Sequence, residues 1–109
     1  MPRVEFITIE RLLEMRANKE QFTPVEVLSE EEYKSGHIPG AINIPLEKLE
    51  TLAPKQLGKG DTIVVYCASY SCQASTRATQ KLLEMGYSKT IDFKAGKRGW
   101  AHAAIELEK

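Results

Sequence analysis

The sequence has 109 residues, of which 42% are hydrophobic and 28% are charged, and this length is enough for one domain with a hydrophobic core. The 15 basic and 15 acidic residues cancel, so nothing in the charge balance favours a nucleic-acid or membrane partner. No apolar run approaches the roughly 18 residues that span a bilayer, and the N-terminus lacks the features of a signal peptide. We therefore expect a single domain over residues 1–109 and a cytoplasmic location.

The first third of the chain alternates between predicted strands and helices. A short strand near Val4–Phe6 precedes a helix over about Ile9–Ala17, for which Thr8 is a candidate N-cap. The next predicted strand is Phe22–Leu28, with Pro24 near its beginning, where a missing N–H is tolerated.

A capping box and a glycine-rich turn organise the next segment. Ser29 and Glu32 form the box, and the short helix that it begins ends at Gly36. A tight turn then leads into a brief strand at Ala41–Ile44. Three leucines at helical spacing predict a surface helix, and residues Ala53–Gly60 are predicted as a loop with room for one helical turn. The leucines are Leu46, Leu49 and Leu52.

The second half repeats the alternation around a more apolar strand. The β-branched run Thr62–Tyr66 predicts a strand buried on both faces. An amphipathic helix over Ala74–Met85 follows, and Gly86 closes it. The last predicted strand is Ser88–Phe93.

A basic loop at Lys94–Gly99 and a short helix over Trp100–Leu107 complete the predicted elements. Strands that alternate with helices indicate an α/β protein with a mostly parallel sheet. In such sheets the ligand site lies beyond the carboxyl ends of the strands, and Cys67 occupies that position.

Cys67 is the candidate nucleophile, because the loop and helix that follow it are able to surround its sulfur with backbone N–H groups. That environment stabilises a thiolate and binds an anion. The alternative is a buried cysteine that only finishes a core strand. We predict that Cys67 is catalytic.

The loop after Cys67 is the predicted substrate-binding segment, chiefly through its backbone N–H groups. Its residues are Ala68, Ser69, Tyr70, Ser71, Cys72 and Gln73. The hydroxyls of Ser75 and Thr76 are further candidate donors, unless they only cap the helix. Four cations are candidate accessory groups that either attract an anionic donor or are simply solvated. They are Arg77, Lys94, Lys97 and Arg98.

Cys72 admits two interpretations. It either resolves a sulfenic acid or persulfide at Cys67 as an internal disulfide, or it is a small residue packed under the start of the helix. Two cysteines and the distant His37 and His102 do not form a zinc-binding pattern, so we expect neither a metal nor another cofactor. His37 is predicted as a turn residue and Trp100 as a core residue.

Four motifs in this order resemble the single-domain rhodanese family. They are Gly36–Pro45 (GHIPGAINIP), Val64–Cys67 (VVYC), Leu82–Tyr87 (LLEMGY) and Lys94–Trp100 (KAGxxxW). The resemblance implies a three-layer α/β/α fold with a central, mostly parallel five-stranded sheet. It also implies a sulfurtransferase in which Cys67 takes a sulfane sulfur from a small anionic donor such as thiosulfate. The resulting persulfide passes its sulfur to a thiophilic acceptor, either a thiol or a protein.

The sequence departs from the family pattern near this site. Glu26-Val27-Leu28 stands where the family often has Asp-Val-Arg, and the loop after Cys67 lacks the usual arginine and glycine. Two alternatives therefore stay open: an arsenate reductase-like redox enzyme that uses Cys67 and Cys72, and a non-catalytic or sulfur-carrier module. A phosphatase is disfavoured, because its Cys-x5-Arg pattern requires an arginine where Gln73 stands.

Overall fold

The computed structural model describes residues 3–103 and 105–109. Four parallel strands form one sheet in the order β2-β1-β3-β4. The strands are β1 (Thr23–Glu26), β2 (Ile42–Asn43), β3 (Ile63–Tyr66) and β4 (Thr90–Phe93). The helices are α1 (Ile9–Ala17), α2 (Glu30–Lys34), α3 (Leu49–Gln56, after a 3-10 turn at Leu46–Lys48), α4 (Ala74–Glu84) and α5 (Gly96–His102).

Helices cover both faces of the sheet, which gives the predicted α/β/α layers. Alternate residues of a strand point to opposite faces. Val64 and Tyr66 of β3 therefore join one buried cluster with α1 and α5, whereas Ile63 and Val65 join another with α3 and α4. All four residues of β3 are buried, as its apolar run predicts. This central strand delivers Cys67 to the carboxyl edge of the sheet.

Two predicted helix caps are confirmed. The Thr8 side chain accepts a hydrogen bond from the N–H of Arg11 at 3.1 Å. The Ser29 hydroxyl accepts from the N–H of Glu32 at 3.2 Å, and the Glu32 carboxylate accepts from the N–H of Ser29 at 3.3 Å. The sequence therefore specifies the starts of α1 and α2 locally.

The prediction of a fifth strand is wrong. Residues Val4–Phe6 make only a single parallel bridge, between Phe6 and Asp92. Its hydrogen bonds run from Ile7 N to Asp92 O at 3.0 Å and from Asp92 N to Glu5 O at 2.9 Å. The Phe6 side chain is 60% exposed, so a longer strand here would bury little additional apolar surface before α1 begins.

The helical turn allowed within Ala53–Gly60 is the end of α3, which continues as far as Gln56 because Leu49 and Ala53 are buried one turn apart. The prediction of a loop over Lys94–Gly99 is wrong. Residues Lys94–Gly99 form a loop only before Gly96, where α5 begins. That helix ends at His102, and position 104, which falls in the predicted Trp100–Leu107 helix, lies outside the described residues. Within the described ranges, no helix combines the length and apolarity needed to cross a bilayer.

Candidate functional site

The backbone of Cys67 is fixed by the start of α5. Cys67 is fully buried directly after β3. Its carbonyl accepts a hydrogen bond from Lys97 N at 3.0 Å, and the carbonyl of Ala68 accepts one from Arg98 N at 2.9 Å. These N–H groups lie in the first turn of α5, where a helix offers no partners of its own. The free N–H groups at the start of α5 and the carbonyls of Cys67 and Ala68 therefore serve as each other's hydrogen-bond partners.

This arrangement requires glycine at position 96. Gly96 has φ +62°, a left-handed conformation. A Cβ atom there would lie 2.3 Å from Cys67 O and 2.9 Å from Ala68 C, both backbone atoms. The glycine of the KAG motif therefore allows the two segments to approach each other closely.

The sulfur of Cys67 lies near the start of α4, and its thiol donates a hydrogen bond to the Cys72 carbonyl at 3.5 Å. Burial raises the pKa of the Cys67 thiol, and the neighbouring Cys72 thiol raises that pKa further. The hydroxyl and the backbone N–H of Ser75 lower this pKa, because they favour the thiolate. The Ser75 hydroxyl is fully buried and has no hydrogen-bond partner within the described part of the chain, so it is free to turn towards a thiolate at Cys67.

Cys72 is the second thiol of the site and the more acidic one. Burial is the largest single influence on the pKa of Cys72 and raises it, whereas the neighbouring Cys67 thiol lowers it. The backbone N–H groups of Ala74 and Ala68 and the charge of Lys94 lower it further, and together these groups bring the pKa of Cys72 below its ordinary value. Cys72 is half-buried, and both cysteines are free thiols. The groups that favour a thiolate are therefore shared between the two cysteines.

The loop between the cysteines is a tight, partly exposed turn. Cys72 N donates to Ser69 O at 3.0 Å, and the hydroxyls of Ser69 and Ser71 lie 3.0 Å apart. Tyr70, at the tip of this loop, is 71% exposed, and Gln73 is exposed just before α4 begins. A cavity of about 540 Å³ borders this loop, and Arg98 lines it together with Ser69, Tyr70 and Ser71.

The four candidate cations fall into three environments. Lys94 donates to Cys72 O at 2.9 Å, and the exposed Arg98 borders the loop cavity. Arg77 is exposed and lines a different cleft, beside α3, which contains no residue of the Ala68–Gln73 loop. Lys97 is mostly buried and does not face the loop.

Lys97 instead belongs to a buried polar network beneath the site. Its ammonium lies 2.9 Å from Glu26 Oε2 and donates to Glu32 O at 2.6 Å. The Tyr66 hydroxyl donates to Glu26 Oε1 at 2.9 Å and accepts from Ile38 N at 3.1 Å. Burial raises the pKa of the Glu26 carboxyl, whereas its bonds to Lys97 and Tyr66 lower it. The charge of Lys97 is therefore neutralised inside the protein.

Sequence reasoning missed this network, although it named Ser75 as a candidate donor. A charged residue that ends an otherwise apolar strand, as Glu26 does, was the available signal, because a buried charge requires a partner. Of the remaining candidates, Thr76 donates to Asp92 Oδ2 at 2.7 Å, so its hydroxyl is already engaged. His37 stacks on Tyr33 at 3.9 Å between ring centroids and pairs with Glu108 in an isolated antiparallel bridge, so it is a bridge residue and not the predicted turn residue. Among the described residues, no three His, Cys, Asp or Glu side chains are grouped to hold a metal ion.

The fold and the site together define a three-layer α/β/α protein with a buried cysteine at the carboxyl end of its central parallel strand. The family model of the Rhodanese-like domain matches residues 8–103. The chain belongs to this family, and the resemblance found in its motifs is confirmed.

Similar proteins are known in several bacteria. The chain is 31% identical over 94 residues to the putative sulfur carrier protein YrkF of Bacillus subtilis, covering 86% of this chain and 49% of that protein. It is 40% identical over 65 residues to the thiosulfate sulfurtransferase PspE of Escherichia coli, covering 59% of this chain and 61% of that protein. The chain therefore spans only about half to three fifths of these curated relatives. The crystal structure of BH2092 from Bacillus halodurans superposes with a TM-score of 0.86 at 30% identity, covering 95% of this chain and 76% of that one.

Proposed function

We propose that the protein is a sulfurtransferase that moves a sulfane sulfur from a donor such as thiosulfate to a thiophilic acceptor through a persulfide on Cys67. The observation that carries this proposal is the fully buried Cys67 thiol at the carboxyl end of β3, next to the buried Ser75 hydroxyl that has no hydrogen-bond partner among the described residues. The relatives described as a thiosulfate sulfurtransferase and a putative sulfur carrier support it.

The donor approaches from the side of the Ala68–Gln73 loop. Arg98, Ser69 and Ser71 line the cavity there, and they offer a positive charge and hydroxyl groups to an anion. Lys94 holds the Cys72 carbonyl on the same loop. Because Cys67 is fully buried, the loop has to shift before its sulfur reaches the donor.

The first half-reaction forms the persulfide. Cys67 reacts as a thiolate, and the proton of its thiol passes to the thiolate form of Cys72, the more acidic of the two thiols. The Cys67 thiolate then attacks the sulfane sulfur, the donor's S–S bond breaks, and sulfite leaves with the electron pair. The hydroxyl and N–H of Ser75 favour the Cys67 thiolate that this attack requires.

The second half-reaction returns the enzyme to its starting state. A thiolate or another soft nucleophile attacks the outer sulfur of the persulfide, and the Cys67 thiolate leaves. Its thiolate is then stabilised by the same Ser75 groups. The acceptor is therefore a small thiol or a cysteine of a partner protein, and no cofactor takes part.

Thiocyanate formation from thiosulfate and cyanide tests the proposal. The wild type should turn over, and Cys67→Ser should lose activity to the uncatalysed level while keeping its fold. Retained turnover in Cys67→Ser would refute the assignment of the nucleophile.

A sulfur-carrier role is the second candidate function, favoured by the similarity to the Bacillus subtilis relative. A carrier takes up sulfur once and holds it until a specific partner arrives. Stoichiometric persulfide without thiocyanate turnover would therefore favour the carrier over the enzyme.

A further inference from the structure

The site contains two neighbouring thiols, and transfer through a persulfide uses only one of them. The Cys67 thiol donates a hydrogen bond to the Cys72 carbonyl at 3.5 Å, so the sulfur of Cys67 already touches the backbone of Cys72. Both cysteines are free thiols in this structure. Because the loop between them is a partly exposed turn, a local shift brings the two sulfurs to the roughly 2.05 Å of an S–S bond.

Cys72 is also placed as a nucleophile in its own right. The Lys94 ammonium lies 2.9 Å from the Cys72 carbonyl, and its charge and the backbone N–H groups of Ala68 and Ala74 lower the pKa of the Cys72 thiol. Cys72 is half-exposed, whereas Cys67 is fully buried. Cys72 is therefore the more acidic and the more accessible of the two thiols.

Resting on the proposed function, we propose that Cys72 attacks the inner sulfur of the Cys67 persulfide and releases the outer sulfur as hydrosulfide. The new bond joins the two cysteine sulfurs, and the bond between the inner and outer sulfur of the persulfide breaks. The proton on Cys72 leaves with the outer sulfur, so persulfide anion and thiol give disulfide and hydrosulfide. The two cysteines are oxidised and the sulfane sulfur is reduced.

The disulfide is returned to two thiols by a dithiol reductant, either a small dithiol or a disulfide-reducing protein. The protein then reduces sulfane sulfur to hydrosulfide at the cost of one dithiol in each cycle. This activity differs from transfer to an acceptor, because sulfur leaves the protein free and reduced.

A single-turnover experiment tests the inference. The reduced protein, freed of reductant, is mixed with excess thiosulfate in the absence of cyanide and added thiol. Sulfite, hydrosulfide, intact mass and remaining thiols are measured in the same sample. We expect the wild type to release sulfite and hydrosulfide in equal amounts and to end as an intramolecular disulfide. Adding dithiothreitol should restore both thiols and allow further cycles.

The matched variant is Cys72→Ser, judged by the ratio of hydrosulfide to sulfite and not by the rate. This ratio should fall from equimolar to near zero, and the added sulfur should stay on the protein. Sulfite without hydrosulfide from the wild type, with Cys72 still open to alkylation, would overturn the inference alone. Absence of sulfite from both proteins would refute the proposed function, and the inference with it.

Discussion

Replacing Gly96 by alanine tests whether the start of α5 holds the backbone of Cys67. The new Cβ would meet Cys67 O at 2.3 Å, where ordinary contact begins at 3.4 Å, so one backbone segment has to move by about 1 Å. That movement breaks the bonds from Lys97 and Arg98 to the two carbonyls, each worth about 0.5–1.5 kcal/mol. The left-handed φ of +62° adds about 1–2 kcal/mol for any residue with a Cβ. We expect Gly96→Ala to lose about 2–5 kcal/mol of unfolding free energy.

The matched control is Gly40→Ala. Gly40 also has a positive φ, +85°, but a Cβ there meets nothing within 4 Å. This variant should lose only the conformational part, about 1–2 kcal/mol. Urea and thermal unfolding of the two variants measure the difference, with roughly 4–8 °C in Tm for each kcal/mol. Equal losses in both variants would show that α5 and Cys67 do not pack rigidly, and would refute the argument.

Three further predictions concern the charges and hydrogen bonds of the site. Alkylation followed against pH should show Cys72 reacting at lower pH than a free thiol, and Cys67 at higher pH; the reverse order would contradict the site described above. Ser75→Ala should raise the pKa of Cys67 and lower kcat by about 10- to 100-fold, since a hydrogen bond to a charged group is worth about 1.5–3 kcal/mol; an unchanged pH profile of kcat would refute its role. Lys97→Met leaves the buried Glu26 carboxylate unpaired, at a cost of about 3–5 kcal/mol near neutral pH. Burial raises the pKa of Glu26 in the folded state, so the variant keeps its stability at low pH and loses it as pH rises through that pKa. The loss of unfolding free energy should therefore shrink in acid, and also in the double variant Glu26→Gln/Lys97→Met. A loss that does not change with pH would contradict this reasoning.

Most of the fold was predictable because its signals are local. The apolar run of β3, the amphipathic spacing of α4 and the caps at Thr8 and Ser29 each depend on a few neighbouring residues. The fifth strand was not predictable in the same way, because pairing of Phe6 with Asp92 depends on a distant edge of the sheet. The start of α5 at Gly96 likewise depends on carbonyls that Cys67 and Ala68 supply from elsewhere in the chain.

The features of the site likewise separate into those that local sequence predicts and those that depend on distant residues. The position of Cys67 follows from its place after a buried strand, and the loop follows from its small polar residues. The partners of the cations do not follow from spacing. Lys97 and Arg98 are adjacent in sequence, yet one pairs with buried Glu26 and the other borders the loop cavity. Similarly, nothing local shows that the pKa of Cys72 is lowered while that of Cys67 is raised, because the groups responsible come from both ends of the loop.

The central claim is that Cys67 carries the sulfane sulfur, and peptide mass analysis of thiosulfate-treated Cys72→Ser tests it most directly. In this variant Cys67 is the one cysteine left in the sequence. We predict one added sulfur atom on the peptide that contains Cys67, removed again by cyanide. An unmodified Cys67 in this variant, together with added sulfur on Cys72 in Cys67→Ser, would contradict the account.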